Sequence, residues 1–415
     1  MDIRGIAKNL ENCVCGRDHA IPDVKVEIGR GLINKVPEIL ESFPRNLLVV
    51  ADKNTLNASP GIMDILQNNG FSCSLKLYDD FRTADMVYVK ELTLLSNTAE
   101  AVFCIGSGSL GDVCRMASFQ AEKPLALFAT APSMDGFASS SAPLTENGFK
   151  KSYLCHIPQV IIGDTDILAA APQILKSAGF GDMVAKYLAL VEWKIANLTI
   201  GEYICPNVYA VTKTALDKTM ALADKIVGNS TDAAGALMEG LVLSGLAMAF
   251  ASVTRPASGA EHIVSHFWEI KEMEKGNLPD YHGRKVGVAT LLVTRLYHEL
   301  VEKTPAFGED TTDWDAVYAA YGPNFKAEIE SCNNPTITKN INPEKLAEQW
   351  QEICKIVKEG LPSYNEMLAL MKKAEAAVSV EDIHISHELA DSGMKYHAYM
   401  RNRINLSRLV PMLGM

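Results

Sequence analysis

Three short segments in the second half of this 415-residue chain carry side chains suited to binding a metal ion: Gly179-Phe180-Gly181-Asp182, Gly259-Ala260-Glu261-His262-Ile263-Val264-Ser265-His266 and Tyr281-His282-Gly283. Each sits at or just before the start of a helical pattern. Taken alone, Asp182 could equally cap the helix that follows from Met183 to Leu198. His262 and His266 stand four apart, so a helix puts both on one face, as in half of a zinc site. The Glu that directly follows the first His in the H-E-x-x-H peptidase pattern is missing, which disfavours a metalloprotease.

The first half holds residues suited to a different ligand. Gly106-Ser107-Gly108-Ser109-Leu110-Gly111-Asp112 follows an apolar run and opens a helical one, so its backbone N–H groups could approach a pyrophosphate. A tight strand-to-helix turn without a ligand would read the same. The acidic residue that usually ends a strand about 20 positions later is absent. Asp52 ends an earlier apolar run, where it could bind ribose hydroxyls and favour NAD over its 2′-phosphorylated form, or simply cap a helix. Thr130-Ala131-Pro132-Ser133-Met134-Asp135-Gly136 combines hydroxyls, a rigid turn and a carboxylate, which turn chemistry alone also explains.

These segments need elements to position them. Short apolar runs at Asn46–Ala51, Ser72–Tyr78, Ala101–Ile105 and Pro124–Thr130 alternate with helical stretches at Gly61–Asn68 and Thr83–Leu95. That alternation predicts a doubly wound parallel sheet with ligands at its carboxyl edge. Beyond about residue 170 helical periodicity takes over, at Gly181–Leu198, Ala234–Ala251, Glu261–Lys275, Gly287–Lys303 and Pro343–Lys358. We expect two domains around one cleft: a dinucleotide-binding α/β unit over residues 1–170 and an all-α metal- and substrate-binding unit over 171–415.

Hydrophobic residues make up 48% of the chain and charged residues 21%, the balance of a globular enzyme. The net charge of −11 comes without a basic block, which argues against nucleic acid as a partner. Nine cysteines, an odd number scattered over the whole length, read as reduced thiols in a cytoplasmic protein. The nearest pair, Cys13 and Cys15, is too closely spaced for an ordinary zinc knuckle. No uninterrupted apolar stretch approaches the roughly 18 residues of a membrane span, so no membrane association is expected.

Together, G-S-G-S-L-G-D, T-A-P-S-M-D-G, G-F-G-D-M-V-A-K, R-P-A-S-G-A-E-H and H-G-R-K-V-G-V occur in the order and spacing of a known group. From about Val24 onward the chain resembles the bacterial-type glycerol-1-phosphate dehydrogenases. These share a dehydroquinate synthase-like fold with glycerol dehydrogenase and the iron-containing alcohol dehydrogenases. The resemblance implies that Asp182, His262 and His282 hold one divalent metal ion, zinc or nickel. It implies that Asp52, Gly106, Ser107, Gly108, Ser109, Leu110, Thr130, Ser133 and Ser139 contact NAD or NADP. Asp135, together with Asp182 and His266, would face the substrate, with His266 orienting it or relaying a proton. Ser107 departs from the three successive glycines of many relatives.

The activity so implied is interconversion of dihydroxyacetone phosphate and sn-glycerol 1-phosphate, a glycerophospholipid precursor, with metal polarisation of the ketone and hydride transfer from nicotinamide. The phosphate needs cations near the metal, and Arg255, Arg284 and Lys285 flank the ligand motifs. A homodimer is expected as the commonest oligomer. Three other readings remain at this point: a dehydrogenase of unphosphorylated polyols, a dehydroquinate synthase-like lyase, and a binding protein that has lost turnover. The lyase usually has Glu where this chain has Asp182, and the binding protein is disfavoured by the intact ligand set.

Overall fold

A computed structural model describes residues 3–414. Eight strands form: β1 (Lys25–Gly29), β2 (Asn46–Asp52), β3 (Ser72–Tyr78), β4 (Ala101–Ile105), β5 (Leu125–Ala129), β6 (Ser141–Glu146), β7 (Phe149–Leu154) and β8 (Val160–Asp164). Six of them make one parallel sheet in the order β1-β8-β5-β4-β2-β3, while β6 and β7 pair as an antiparallel hairpin. Every residue of β4, β5 and β8 is buried, as continuous apolar runs covered on both faces require. The chain leaves β2 toward β3 and returns on the other side of β2 as β4. The sheet therefore has its switch point between β2 and β4, where a crevice opens at the carboxyl edge.

The four strands expected from apolar runs are β2 to β5. The expectation did not include β1, β8 or the hairpin. Edge strand β1 mixes Lys25 and Glu27 with its apolar residues, and the hairpin strands mix polar and charged residues with apolar ones on a surface only partly covered.

The rest of the chain is mostly helical. The stretch expected as one helix over Gly181–Leu198 is two, Gln173–Val184 and Lys186–Ile200, meeting at Ala185. Ala185 itself keeps helical angles, so the hydrophobic period runs through the junction. The helices Thr231–Ala251, Ala260–Glu274, His282–Val301 and Pro343–Gly360 match the other expected segments to within a few residues. Among the described residues, Thr231–Ala251 alone is long and apolar enough to cross a membrane, and most of it is buried inside the core.

Two helices approach unusually closely. A Cβ on Gly283, at the start of His282–Val301, would lie 1.9 Å from the Ala178 carbonyl oxygen, and one on Gly181 would lie 2.4 Å from that of Gly283. Only glycine permits this approach, which brings Asp182 and His282 together. Near the other end of the chain, Ile3, Leu10 and Cys13 join the same apolar cluster as Val208, Leu216 and Leu246 of the helical half. The nine cysteines are all free thiols.

Candidate active site

Asp182 lies in the last turn of Gln173–Val184, His262 in the first turn of Ala260–Glu274, and His282 opens His282–Val301. Three helix ends thus deliver one carboxylate oxygen and two imidazole nitrogens, all within 4.8 Å of one another. His262 Nε2 is 3.5 Å from Asp182 Oδ1, and the two histidine rings are 5.2 Å apart.

The surroundings orient each donor. Glu261 Oε1 lies 2.7 Å from His262 Nδ1, which keeps that nitrogen as the donor and leaves Nε2 for the cluster. The same oxygen accepts the Gly259 N–H at 2.7 Å. Glu192 accepts the Ala260 N–H and the Tyr297 hydroxyl; burial, and then the charge of Glu261, push it up to about 7. Asp182 Oδ2 accepts the Asp135 N–H at 2.9 Å.

Sequence reasoning assigned no role to Lys186, the last residue of G-F-G-D-M-V-A-K. Its ammonium is fully buried, 2.7 Å from Asp135 Oδ2 and 3.0 Å from Asp182 Oδ1. Burial works against its charge, but the two carboxylates outweigh that and raise its pKa above the ordinary value. Ser244 adds a hydrogen bond to Asp135 Oδ2 at 2.8 Å, so Asp135 is fixed from two sides.

The three imidazoles respond to their settings differently. Burial opposes protonation of His262, yet hydrogen bonds to Asp182 and Glu261 bring it up to about 9. Burial pulls His282 down to about 3 despite Asp182. His266 is driven well below its usual value, first by burial and then by Lys150. Among the described residues, its buried Nε2 has no hydrogen-bond partner. An N,N,O donor set whose members must be neutral imidazoles and a carboxylate fits a divalent ion of the zinc or nickel type.

The cluster borders a cleft of about 680 Å³ that reaches the sheet's switch point. Asp52, Ser107, Gly108, Ser109, Ser133, Asp135 and Ser139 line it, as do His262, His266 and His282. Gly106, Leu110 and Thr130, expected to touch the cofactor, are not among its lining residues. Leu110 and Thr130 are buried, and a Cβ on Gly106 would meet Leu110 at 3.0 Å. Gly108 has φ +52, a conformation suited to glycine, at the start of the Gly108–Gln120 helix. Asp52 caps the helix after β2: Oδ1 accepts the Thr55 N–H at 2.8 Å and Oδ2 the Phe81 N–H at 3.4 Å.

The cations differ from those expected. Arg255 lines the cleft, but its guanidinium is tied to both oxygens of Glu202 and to the Ile404 carbonyl. Arg284 is outside the cleft, held by Asp280 and the Asp382 carbonyl. Lys285 does line it, 2.7 Å from Glu269, and two residues without a sequence signal join it. Lys150 of β7 lies 2.6 Å from the other Glu269 oxygen, and Arg401 donates to the Lys150 carbonyl at 2.9 Å. Two ammonium groups thus flank the Glu269 carboxylate, and Arg401 stands in the same cleft wall.

The family model for iron-containing alcohol dehydrogenase matches residues 27–172. A glycerol-1-phosphate dehydrogenase [NAD(P)+] of Halalkalibacterium halodurans is 36% identical, the match covering 70% of this chain and 75% of that protein. One of Bacillus licheniformis is 28% identical over 99% of this chain and 94% of the relative. Among solved structures, the NADH-dependent butanol dehydrogenase A of Thermotoga maritima superposes with a TM-score of 0.60 at 14% identity, over 95% of this chain and 98% of that one, which supports the fold. On the strength of these sequence relatives, the chain belongs to the family of NAD(P)-linked glycerol-1-phosphate dehydrogenases.

Proposed function

We propose that the protein is a metal-dependent, NAD(P)-linked oxidoreductase that interconverts dihydroxyacetone phosphate and sn-glycerol 1-phosphate. The observation that carries this reading is one cleft that joins the Asp182, His262 and His282 cluster to the Gly108–Gln120 helix start and to the cations Lys150, Lys285 and Arg401. A divalent ion held by those three residues would act as a Lewis acid on the ketone oxygen.

The chain's own residues do the rest. The N-terminus of Gly108–Gln120, with Ser107 and Ser133 hydrogen-bonded across it at 3.2 Å, offers N–H and hydroxyl donors to a dinucleotide phosphate. Asp52, with its carboxylate fixed by two backbone N–H groups, disfavours a 2′-phosphate and hence favours NAD. Asp135, immobilised by Lys186 and Ser244, orients a substrate hydroxyl. Lys150, Lys285 and Arg401 receive the substrate phosphate; Glu269 holds the two ammonium groups in place. His266, neutral and with Nε2 free, relays the proton that the reduced carbonyl oxygen takes up as hydride arrives at carbon. An unchanged rate and pH profile in His266→Asn would remove that relay.

The deciding assay is NADH oxidation with dihydroxyacetone phosphate against unphosphorylated dihydroxyacetone, before and after chelation and with zinc or nickel restored. Turnover of the phosphate ester alone, lost on chelation and regained with metal, is the expected result. Equal turnover of the unphosphorylated ketone would overturn the phosphate assignment. We further propose a cytoplasmic homodimer. Edge strand β3, with Leu75 and Leu77 about two-fifths exposed, is a surface that a second copy could cover, and light scattering of the purified protein tests the assembly.

A further inference from the structure

Three side chains from one short segment near the start of the chain meet a fourth from the helical half, outside the cleft. Cys13 Sγ is 3.5 Å from Cys205 Sγ, Cys15 Sγ is 3.0 Å from His19 Nε2, and Cys205 Sγ is 3.4 Å from the same nitrogen. All four ligand atoms lie within 4.8 Å of one another. We infer that Cys13, Cys15, His19 and Cys205 form a second metal site, a closed Cys3His zinc centre that fastens the segment around residues 13–19 to the helical half of the molecule.

The dimensions fit. Zinc–sulfur bonds of about 2.3 Å and zinc–nitrogen bonds of about 2.0–2.1 Å in a tetrahedron place neighbouring ligand atoms roughly 3.5–3.8 Å apart. The Cys13–Cys205 and Cys205–His19 edges, at 3.5 and 3.4 Å, already fit, and the Cys15–His19 edge at 3.0 Å must lengthen by roughly half an ångström. The imidazole is aimed for the task. His19 Nδ1 lies 2.7 Å from the Phe250 carbonyl oxygen, which can only accept, so Nδ1 carries the proton and the Nε2 lone pair faces the three sulfurs.

The sulfurs are supported as thiolates would be. Asn207 Nδ2 donates to Cys13 at 3.2 Å, and the Val208 N–H, in the first turn of the Pro206–Met220 helix, donates to Cys205 at 3.4 Å. The Tyr203 hydroxyl is 3.4 Å from Cys15, and the Arg17 guanidinium lies 3.6 Å from the centre of the Tyr203 ring. With three thiolates and no carboxylate, this set is softer than the cluster in the cleft and suits a structural, four-coordinate ion. A lone Cys13–Cys205 disulfide would leave the Cys15–His19 contact and the oriented imidazole unaccounted for.

The site would join Cys13, Cys15 and His19 to Cys205 and, through the His19 hydrogen bond, to Phe250 near the end of Thr231–Ala251. The chain runs on from there through Arg255 to His262, so the ion would brace one wall of the cleft.

The test uses the full chain purified with its thiols reduced. Asp182→Ala dismantles the cleft cluster, and metal analysis of that variant is expected to find about one zinc per chain, lost when Cys15→Ser is added. Because the cysteine variant can fail to fold, protein with otherwise native sequence is also prepared with cobalt. Thiolate-to-cobalt charge-transfer absorption is expected and should persist in Asp182→Ala. Bound cobalt without those bands would overturn the inference. So would zinc-free Asp182→Ala protein in which peptide mapping finds a Cys13–Cys205 disulfide.

Discussion

At the scale of single residues, Lys186 governs the metal-free site. It is the cation next to two buried carboxylates, and removing one partner from such a group leaves charge without compensation. Lys186→Met is expected to cost about 3–5 kcal/mol of stability in the chelated protein. The loss should shrink when metal is restored, because the ion then neutralises Asp182; thermal melts with and without metal read the difference. Asp182→Asn should abolish metal binding in the cleft and, with it, turnover, as metal analysis and assay of one preparation would show. Asp182, His262 and His282 were legible as a set only through the family's motifs, since on spacing alone Asp182 reads equally as a helix cap. Lys186 was not, since a lysine four residues after an aspartate on a helix reads as a solvated pair until its burial is known. Lys150 and Arg401 had no signal either: their meaning comes from a hairpin and a late segment that meet at the Lys150 backbone beside Glu269.

At the scale of elements, the close approach of Gln173–Val184 and His282–Val301 sets the distance between Asp182 and His282. A methyl group on Gly283 would collide with the Ala178 carbonyl. Gly283→Ala should therefore part the helices, cost about 1–3 kcal/mol, and weaken metal binding at least tenfold by titration. Gly308→Ala, where a Cβ meets nothing within 4 Å, is the control and should change neither. The inner strands β2, β4 and β5 were readable because burial on both faces writes an unbroken apolar run. The two helices around Ala185 merged in the sequence because the junction residue keeps helical angles and the hydrophobic period runs through it. The thiol cluster shows the same limit. The tight Cys13–Cys15 spacing argued against a knuckle, but its remaining partners come from His19 and from Cys205, 192 residues beyond Cys13.

At the scale of the whole molecule, two imidazoles away from the cleft, His156 partly buried and His397 fully, contribute to acid sensitivity. His156 and His397 are both lowered from 6.5 to about 4, chiefly by burial, so the unfolded chain takes up protons first as pH falls. The stability they support is intact above about 6.5 and is lost as pH drops toward 4. His397→Gln should flatten that part of a melting-temperature against pH curve; an unaltered slope would show that His397 does not contribute. The α/β-then-helical order of the chain was plain from periodicity alone, whereas the course of its final residues was not. Backbone hydrogen bonds join Ala306 and Gly308 to Leu413 and Met412, and Arg401, Asn402 and Arg403 form part of the cleft wall. On the ribosome, the sheet and the Asp182, His262 and His282 cluster are made well before that wall exists. On the proposed reading, a nascent chain can assemble its candidate metal cluster early, whereas the candidate phosphate pocket must wait until Arg401 has emerged.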